Sequence, residues 1–257
     1  MIDIGVNLNS IIKLVNINDF SLELQTANIS SVVAISSNLT EANELVSISK
    51  QYPHSPIHYT IGCHPHHASE WDRDSKQATL NLINNSSPIA IGETGLDFNR
   101  NYSTIEEQIF AFNEQILIAQ EKDLPLYLHE REAEDVLINT LSNHIPTKGV
   151  IHCFTGNTRT LTRYLDLNLY IGVTGWLCDE RRGQDLQEAV KYIPNDRLLI
   201  ETDSPYLIPR TIRPRPKKNH PKYLPYIIAA LASIRGQSEE EIKAITTANA
   251  QKLFTIK

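Results

Sequence analysis

The chain has 257 residues, 41% hydrophobic and 21% charged, with a formal net charge of −6. That composition excludes a disordered or low-complexity chain and allows a large core. The acidic balance excludes indiscriminate nucleic-acid binding through overall field and leaves a local basic rim as the feature to seek. Cys63, Cys153 and Cys178 lie far apart, outside any C-x-x-C spacing. Their placement argues against a disulfide framework or a thiolate zinc site and for a reducing compartment. Asp3 stands where a basic leader would begin, and no apolar run reaches the roughly 18 residues that span a bilayer, so a cytoplasmic protein with no membrane partner is expected.

Short runs rich in Ile, Val and Leu recur at residues 2–6, 32–36, 57–62, 88–92, 125–129, 149–153, 169–173 and 197–201. Their continuous apolar character suits parallel strands covered on both faces. Helical spacing fills the intervals at 11–27, 40–51, 74–84, 132–142, 157–166 and 184–192. Between the fourth and fifth runs, Ile105, Ile109, Phe112, Ile116 and Ala119 follow the capping-box pair Thr104 and Glu107. A second box, Ser238 to Glu241, opens a last helix through Ile242, Ile245 and Leu253. Eight strands alternating with helices predict an α/β fold, a closed (β/α)8 TIM barrel occupying 1–257 as one domain. A doubly wound open sheet ranks second, since no Gly-x-Gly-x-x-Gly turn follows the first strand.

In such a barrel the C-terminal strand ends form the catalytic face. Strand three ends in GCHPHH with His64, His66 and His67, strand four in GETGLD with Glu93 and Asp97, and strand five in LHER with His129 and Arg131. Strand six ends in IHCF with His152, and strand eight in ETDSP with Glu201 and Asp203. One strand-end histidine is ordinarily a satisfied polar group. Glu93, His129 and His152 on three successive strands are different, because closure gathers two imidazoles and a carboxylate suited to a divalent ion with open positions. Asp203 can complete that shell or accept a proton from water. His64 and His66 can touch the ion or steady a leaving group, and His64 is preferred as a substrate contact. Glu201, still within its strand, reads as a buried carboxylate bonded to loop backbone.

Residues 209–225 carry Arg210, Arg213, Arg215, Lys217, Lys218 and Lys222 among prolines, directly after the strand that holds Asp203. CDERRG after strand seven adds Arg181 and Arg182, with Trp176 and Tyr206 as stacking surfaces. Any one of these lysines is ordinarily solvated loop. So much positive charge beside a metal site on an acidic protein favours an anionic substrate, and a phosphodiester fits best.

Taken together, DIGVNL, GCHPH, IGETGLDFNRN, HER, HCFTG, IGVTGWLCDERRG and ETDSPYLIPR resemble the TatD-type metal-dependent deoxyribonucleases over essentially the whole chain. The resemblance implies a Mg2+-dependent 3′→5′ exonuclease of single-stranded DNA and RNA with a role in DNA repair, Mn2+ or Zn2+ being alternative ions and a monomer the expected form. It also implies metal ligands at Glu93, His129 and His152, a catalytic carboxylate at Asp203 and a substrate contact at His64. His66, Arg131, Arg181, Arg210, Arg215 and Lys217 are the further expected substrate contacts. Many relatives have His-x-His at the end of strand one, binding a second ion; here Gly5 and Asn7 stand there, so one strongly held ion is expected, with Asn7 bonding water or substrate. Glu130 and Thr94 occupy places where cysteine is common in relatives. The alternatives are a barrel hydrolase of lactones, amides or small phosphoesters, and a non-catalytic barrel that binds nucleic acid.

Overall fold

The apolar runs pair edge to edge in chain order. The computed structural model describes residues 1–13, 15–145 and 148–256. Its strands are β1 (Ile2–Val6), β2 (Ser31–Ala34), β3 (Ile57–Ile61), β4 (Ala90–Asp97), β5 (Leu126–Arg131), β6 (Gly149–Ile151), β7 (Tyr170–Val173) and β8 (Leu198–Ile200). Each is parallel to its sequence neighbour in one sheet ordered β1 to β8. Val6 bridges Ser204 at the seam, the Asn7 amide donates to Ser204 O (2.8 Å), and the Asp203 amide donates to Gly5 O (2.9 Å). These contacts close the expected barrel.

Strand side chains alternate between two apolar layers. Ile4, Val33, Ala90, Tyr127, Val150 and Leu199 pack in one cluster. Val32, Ile61, Ile91, Leu128, Ile171 and Leu198 pack in the other with helical residues such as Phe20, Leu45, Phe112 and Leu231. The helices are α1 (Leu8–Ile11), α2 (Ile17–Thr26), α3 (Leu39–Gln51), α4 (Ser75–Asn84), α5 (Ile105–Lys122), α6 (Glu134–Ser142), α7 (Thr158–Asp166), α8 (Gln184–Ala189), α9 (Leu224–Arg235) and α10 (Glu239–Phe254). Both expected capping boxes form, at Thr104 with Glu107 and at Ser238 with Glu241.

Three expectations need correction. The helix expected at 11–27 is α2 at Ile17–Thr26, preceded by the short α1 that ends at Ile11, because the Asn16 side chain accepts from the Asp19 amide and starts the chain afresh as α2; Leu14 lies outside the described residues. The strand expected at 88–92 continues to Asp97. After a register shift between Ile91 and Thr94, Thr94 to Asp97 pair with Leu128 to Arg131. Gly92 (φ 153°) and Gly95 (φ 138°) permit this path, since a Cβ at Gly92 would lie 2.7 Å from Tyr127 Cβ and one at Gly95 3.0 Å from the His129 carbonyl carbon. Helix α9 grows out of the proline-rich stretch read as loop, Pro225 lying in its first turn, where a missing N–H costs nothing. Among the described residues no helix is long and apolar enough to cross a membrane.

Asp3 lies in β1 with no exposed surface. It accepts from Thr202 Oγ1 (2.6 Å), the Thr202 amide (2.9 Å) and the Gly5 amide (3.3 Å). Burial pushes its pKa up to about 8 despite the Thr202 bonds. Between 3.8 and about 8 the folded state keeps a proton that the unfolded state has lost, so stability falls as pH rises through that window. Compared with Asp3→Asn in urea unfolding, the wild type should lose about 1.4 kcal/mol per pH unit from about pH 5 to 7. Parallel stability profiles would reject a protonated Asp3.

Candidate metal centre and nucleic-acid face

The centre is assembled on β3, β4, β5 and β6. After β3 the chain is pinned by buried Gln115 of α5, whose Oε1 accepts from the Cys63 amide (2.8 Å) and whose Nε2 donates to Cys63 O (3.0 Å). His64 then caps a 3-10 turn over Pro65–Glu70, its Nδ1 accepting from the His66 amide (3.0 Å). That bond turns Nε2 toward Glu93 Oε1 at 3.4 Å. The same carboxylate oxygen is 2.9 Å from His129 Nδ1 and 2.7 Å from His152 Nε2. The ligand atoms of His64, Glu93 and His129 lie within 4.8 Å of one another.

Asp97 extends the cluster. Its Oδ2 is 2.7 Å from His66 Nε2 and 3.3 Å from His129 Nε2, while Oδ1 accepts from the Asn99 and Arg100 amides. Although burial opposes both charges, His152 and His64 hold Glu93 well below the usual carboxylate range, and bonds from His129, the Arg100 amide and His66 lower Asp97. In return His152 is raised well above an ordinary imidazole by Glu93 and Glu201, and His129 is raised by Asp97 and Glu93, both against burial. Burial keeps His64 well below its ordinary value. Two depressed carboxylates facing two raised imidazoles form a site that gathers positive charge, and a divalent cation can take the place of those protons. A carboxylate oxygen ringed by imidazole nitrogens fits such an ion.

Asp203 stands beside this centre, not among the clustered ligand atoms of His64, Glu93 and His129. Its Oδ1 accepts from Asn7 Nδ2 (2.8 Å), so the amide expected to bond water or substrate is engaged by Asp203. Burial pushes Asp203 up to about 7, with Glu201 and Glu93 adding to the rise and His152 opposing it. Glu201 differs from its sequence reading in reach. Besides the Cys153 amide (2.5 Å) it accepts from Tyr127 Oη (2.5 Å), across the barrel interior.

A cleft of ≈ 700 Å³ opens from His152 and Cys153 along Arg131, Phe154, Arg159 and Arg163. Arg163 is ion-paired with Glu134 and Asp135, whereas Arg131 and Arg159 are exposed and enter no ion pair among the described residues. The expected basic rim lies on the other flank, where Trp176, Arg182, Tyr206, Arg210 and Arg215 line a hollow of ≈ 260 Å³. It is partly neutralised: Asp179 pairs with Arg182 (3.0 Å) and Arg210 (3.5 Å), and Glu23 pairs with Lys222 (3.2 Å). Arg182 also covers the Trp176 ring at 4.5 Å. Arg181, Arg215 and Lys217 remain exposed. Sequence reasoning missed Arg159, and it missed Tyr102, whose exposed ring meets His66 edge-on at 4.8 Å.

A closed (β/α)8 barrel with a carboxylate and imidazole cluster at its C-terminal strand ends defines a hydrolase of the metal-dependent barrel class. Residues 2–255 match the model of the TatD-related DNases. The chain belongs to that family, and with it to the nuclease hydrolases. It is 43% identical over 260 residues to the 3′-5′ ssDNA/RNA exonuclease TatD of Erwinia tasmaniensis, covering 100% of both chains. It is 41% identical over 261 residues to the protein of that name from Salmonella typhimurium, covering 100% of this chain and 99% of that one. Among solved structures, YJJV, a TatD homologue of Escherichia coli K12, superposes with a TM-score of 0.88 at 23% identity, covering 100% of this chain and 98% of that one. The phosphotriesterase homology protein of Escherichia coli shares the fold at 13% identity and a TM-score of 0.70, with 98% of each chain covered.

Proposed function

We propose that this chain is a divalent-metal-dependent 3′→5′ exonuclease of single-stranded DNA and RNA. The convergence of His64, His129 and His152 on one oxygen of Glu93, beside a cleft that holds unpaired arginines, carries the reading. The relatives' activity agrees with it. A divalent ion held by Glu93, His129 and His152, with His64 adjoining, would polarise the phosphoryl oxygen and lower the pKa of the attacking water. Asp203, beside the centre, is the carboxylate that would take that water's proton, and Asn7 fixes it by holding Oδ1. Arg131 and Arg159 bind the strand's phosphates on one flank, and Arg215, Lys217 and Arg181 on the other. The exposed rings of Tyr102 and Tyr206 offer faces for bases to stack on. The nitrogen-rich donor set favours Mn2+ or Zn2+ over Mg2+ on ligand chemistry, so the ion is chosen by a metal series.

The test is time-resolved digestion of 5′- and 3′-labelled single and double strands across Mg2+, Mn2+ and Zn2+. Stepwise loss of nucleotides from the 3′ end of single strands supports the reading; turnover of small esters with intact strands would overturn it. Arg131→Ala and Arg159→Ala should each raise KM several-fold, leave kcat near wild type and reduce the salt slope of strand binding by about one. An unchanged salt slope would remove both residues from the strand path.

A further inference from the structure

Glu201 has no exposed surface, yet its carboxylate is surrounded by five residues from four strands or their ends. Oε2 accepts from Tyr127 Oη on β5, and Oε1 accepts from the Cys153 amide just beyond β6, each at 2.5 Å. Cys153 is itself in the left-handed region at φ 47°, a conformation that costs energy for a residue with a Cβ. The chain keeps the conformation while that amide points at Glu201. Backbone room is reserved for the same carboxylate on β1 and β7. A Cβ at Gly172 would sit 2.5 Å from Oε1, and one at Gly5 would overlap Oε2 and lie 2.5 Å from Tyr127 Oη.

The fifth neighbour is His152. Its Nδ1 is buried and makes no hydrogen bond among the described residues, and Glu201 Oε2 is 3.5 Å away. The Tyr127 ring lies against the imidazole at 5.1 Å between centroids, tilted by 31°. The opposite ring nitrogen, Nε2, is the one that meets Glu93 at 2.7 Å. Both carboxylates accept only, so without an ion the nearer Glu93 draws the proton to Nε2; with an ion on the Nε2 side, Glu201 is the acceptor that holds the proton on Nδ1 and frees the Nε2 lone pair for the ion.

We propose that Glu201 is a positioning residue that sets the tautomer and aim of His152 for the metal centre, held in place by Tyr127, the Cys153 amide and the two glycines that make room for it. The inference rests on His152 being a ligand in the function proposed above. Glutamine at 201 keeps the volume and can still accept from the Cys153 amide. Its NH2 group, however, would present a donor to Nδ1 and favour the opposite tautomer.

The test combines nitrogen NMR of His152, at a pH where the ring is neutral, with Mn2+ titration calorimetry on the full chain. In the wild type saturated with Zn2+ the Nδ1–H form is expected, whereas without an ion Glu93 holds the proton on Nε2. In Glu201→Gln the Nε2–H form should persist at Zn2+ concentrations that convert the wild type, and Mn2+ affinity should fall about 10- to 100-fold. Tyr127→Phe, which frees one side of Glu201 without altering the acceptor, should keep the tautomer and weaken Mn2+ binding several-fold. That second variant carries the test if the glutamine variant does not fold. A folded Glu201→Gln protein that takes the Nδ1–H form at the same Zn2+ concentrations as wild type, or either folded variant binding Mn2+ as tightly as wild type, would overturn the proposal. A wild type that binds no divalent ion would overturn the metal reading and this proposal with it, whereas a wild type and a Glu201→Gln protein that bind equally well would overturn this proposal alone.

Discussion

Glu93→Ala is expected to abolish ion-dependent release of nucleotides from a labelled single strand, a loss of about 1,000-fold or more. One oxygen of Glu93 is the point on which three imidazoles converge, so no neighbour can replace it. Its removal also reverses the local field. His152 and His129 are raised largely by Glu93 and the other carboxylates around them, and without Glu93 the imidazoles face one another with less negative charge between them. A divalent cation then enters a pocket of nitrogen donors that has lost its main compensating charge. Glu93→Gln separates charge from shape, since the amide fills the same space and can still bond to an imidazole. Calorimetry should show Mn2+ binding lost in both variants, with melting curves reporting whether the barrel persists. Ion-dependent turnover in a folded Glu93→Ala protein would remove this residue from the centre.

The barrel was legible because its strands are buried on both faces and read as unbroken Ile, Val and Leu runs. The strand ends stood out because Glu93, His129 and His152 interrupt those runs on consecutive strands. What escaped was set by backbone path and by contacts across the barrel. Asp97 was placed at the end of strand four, but not inside the sheet, because Gly95 and a register shift, invisible in periodicity, carry β4 four residues past Glu93. Glu201 was read as bonded to nearby backbone; only closure of the sheet shows that it reaches Tyr127, 74 residues away. The rim's charge could be counted from sequence, but its partial cancellation could not. Asp179 meets Arg182 locally and Arg210 through the fold. Helix α9 was hidden by the prolines before it, which mark a helix start as readily as a loop.

Gly5→Ala should be among the most damaging single-methyl additions in the chain. Gly5 is fully buried in β1 and its φ lies outside the left-handed region, so the backbone itself tolerates alanine. The obstacle is what occupies the space: the new Cβ would overlap Glu201 Oε2 and lie 2.5 Å from Tyr127 Oη. Either the pair of oxygens separates, breaking the bond between them, or β1 moves away from the seam where Gly5 O accepts from Asp203. Overpacking of this kind costs about 1–3 kcal/mol, which for a chain of this size lowers Tm by roughly 2–12 °C. Displacement of Glu201 should also disturb His152, so Mn2+ affinity should fall together with stability. Adding Tyr127→Phe to Gly5→Ala removes one of the two clashing oxygens and should restore part of the lost Tm. Two independent losses would simply add, whereas a shared clash makes the double variant more stable than the sum predicts. Strict additivity, or Gly5→Ala melting with the wild type, would show that the glycine is not there to make room for Glu201.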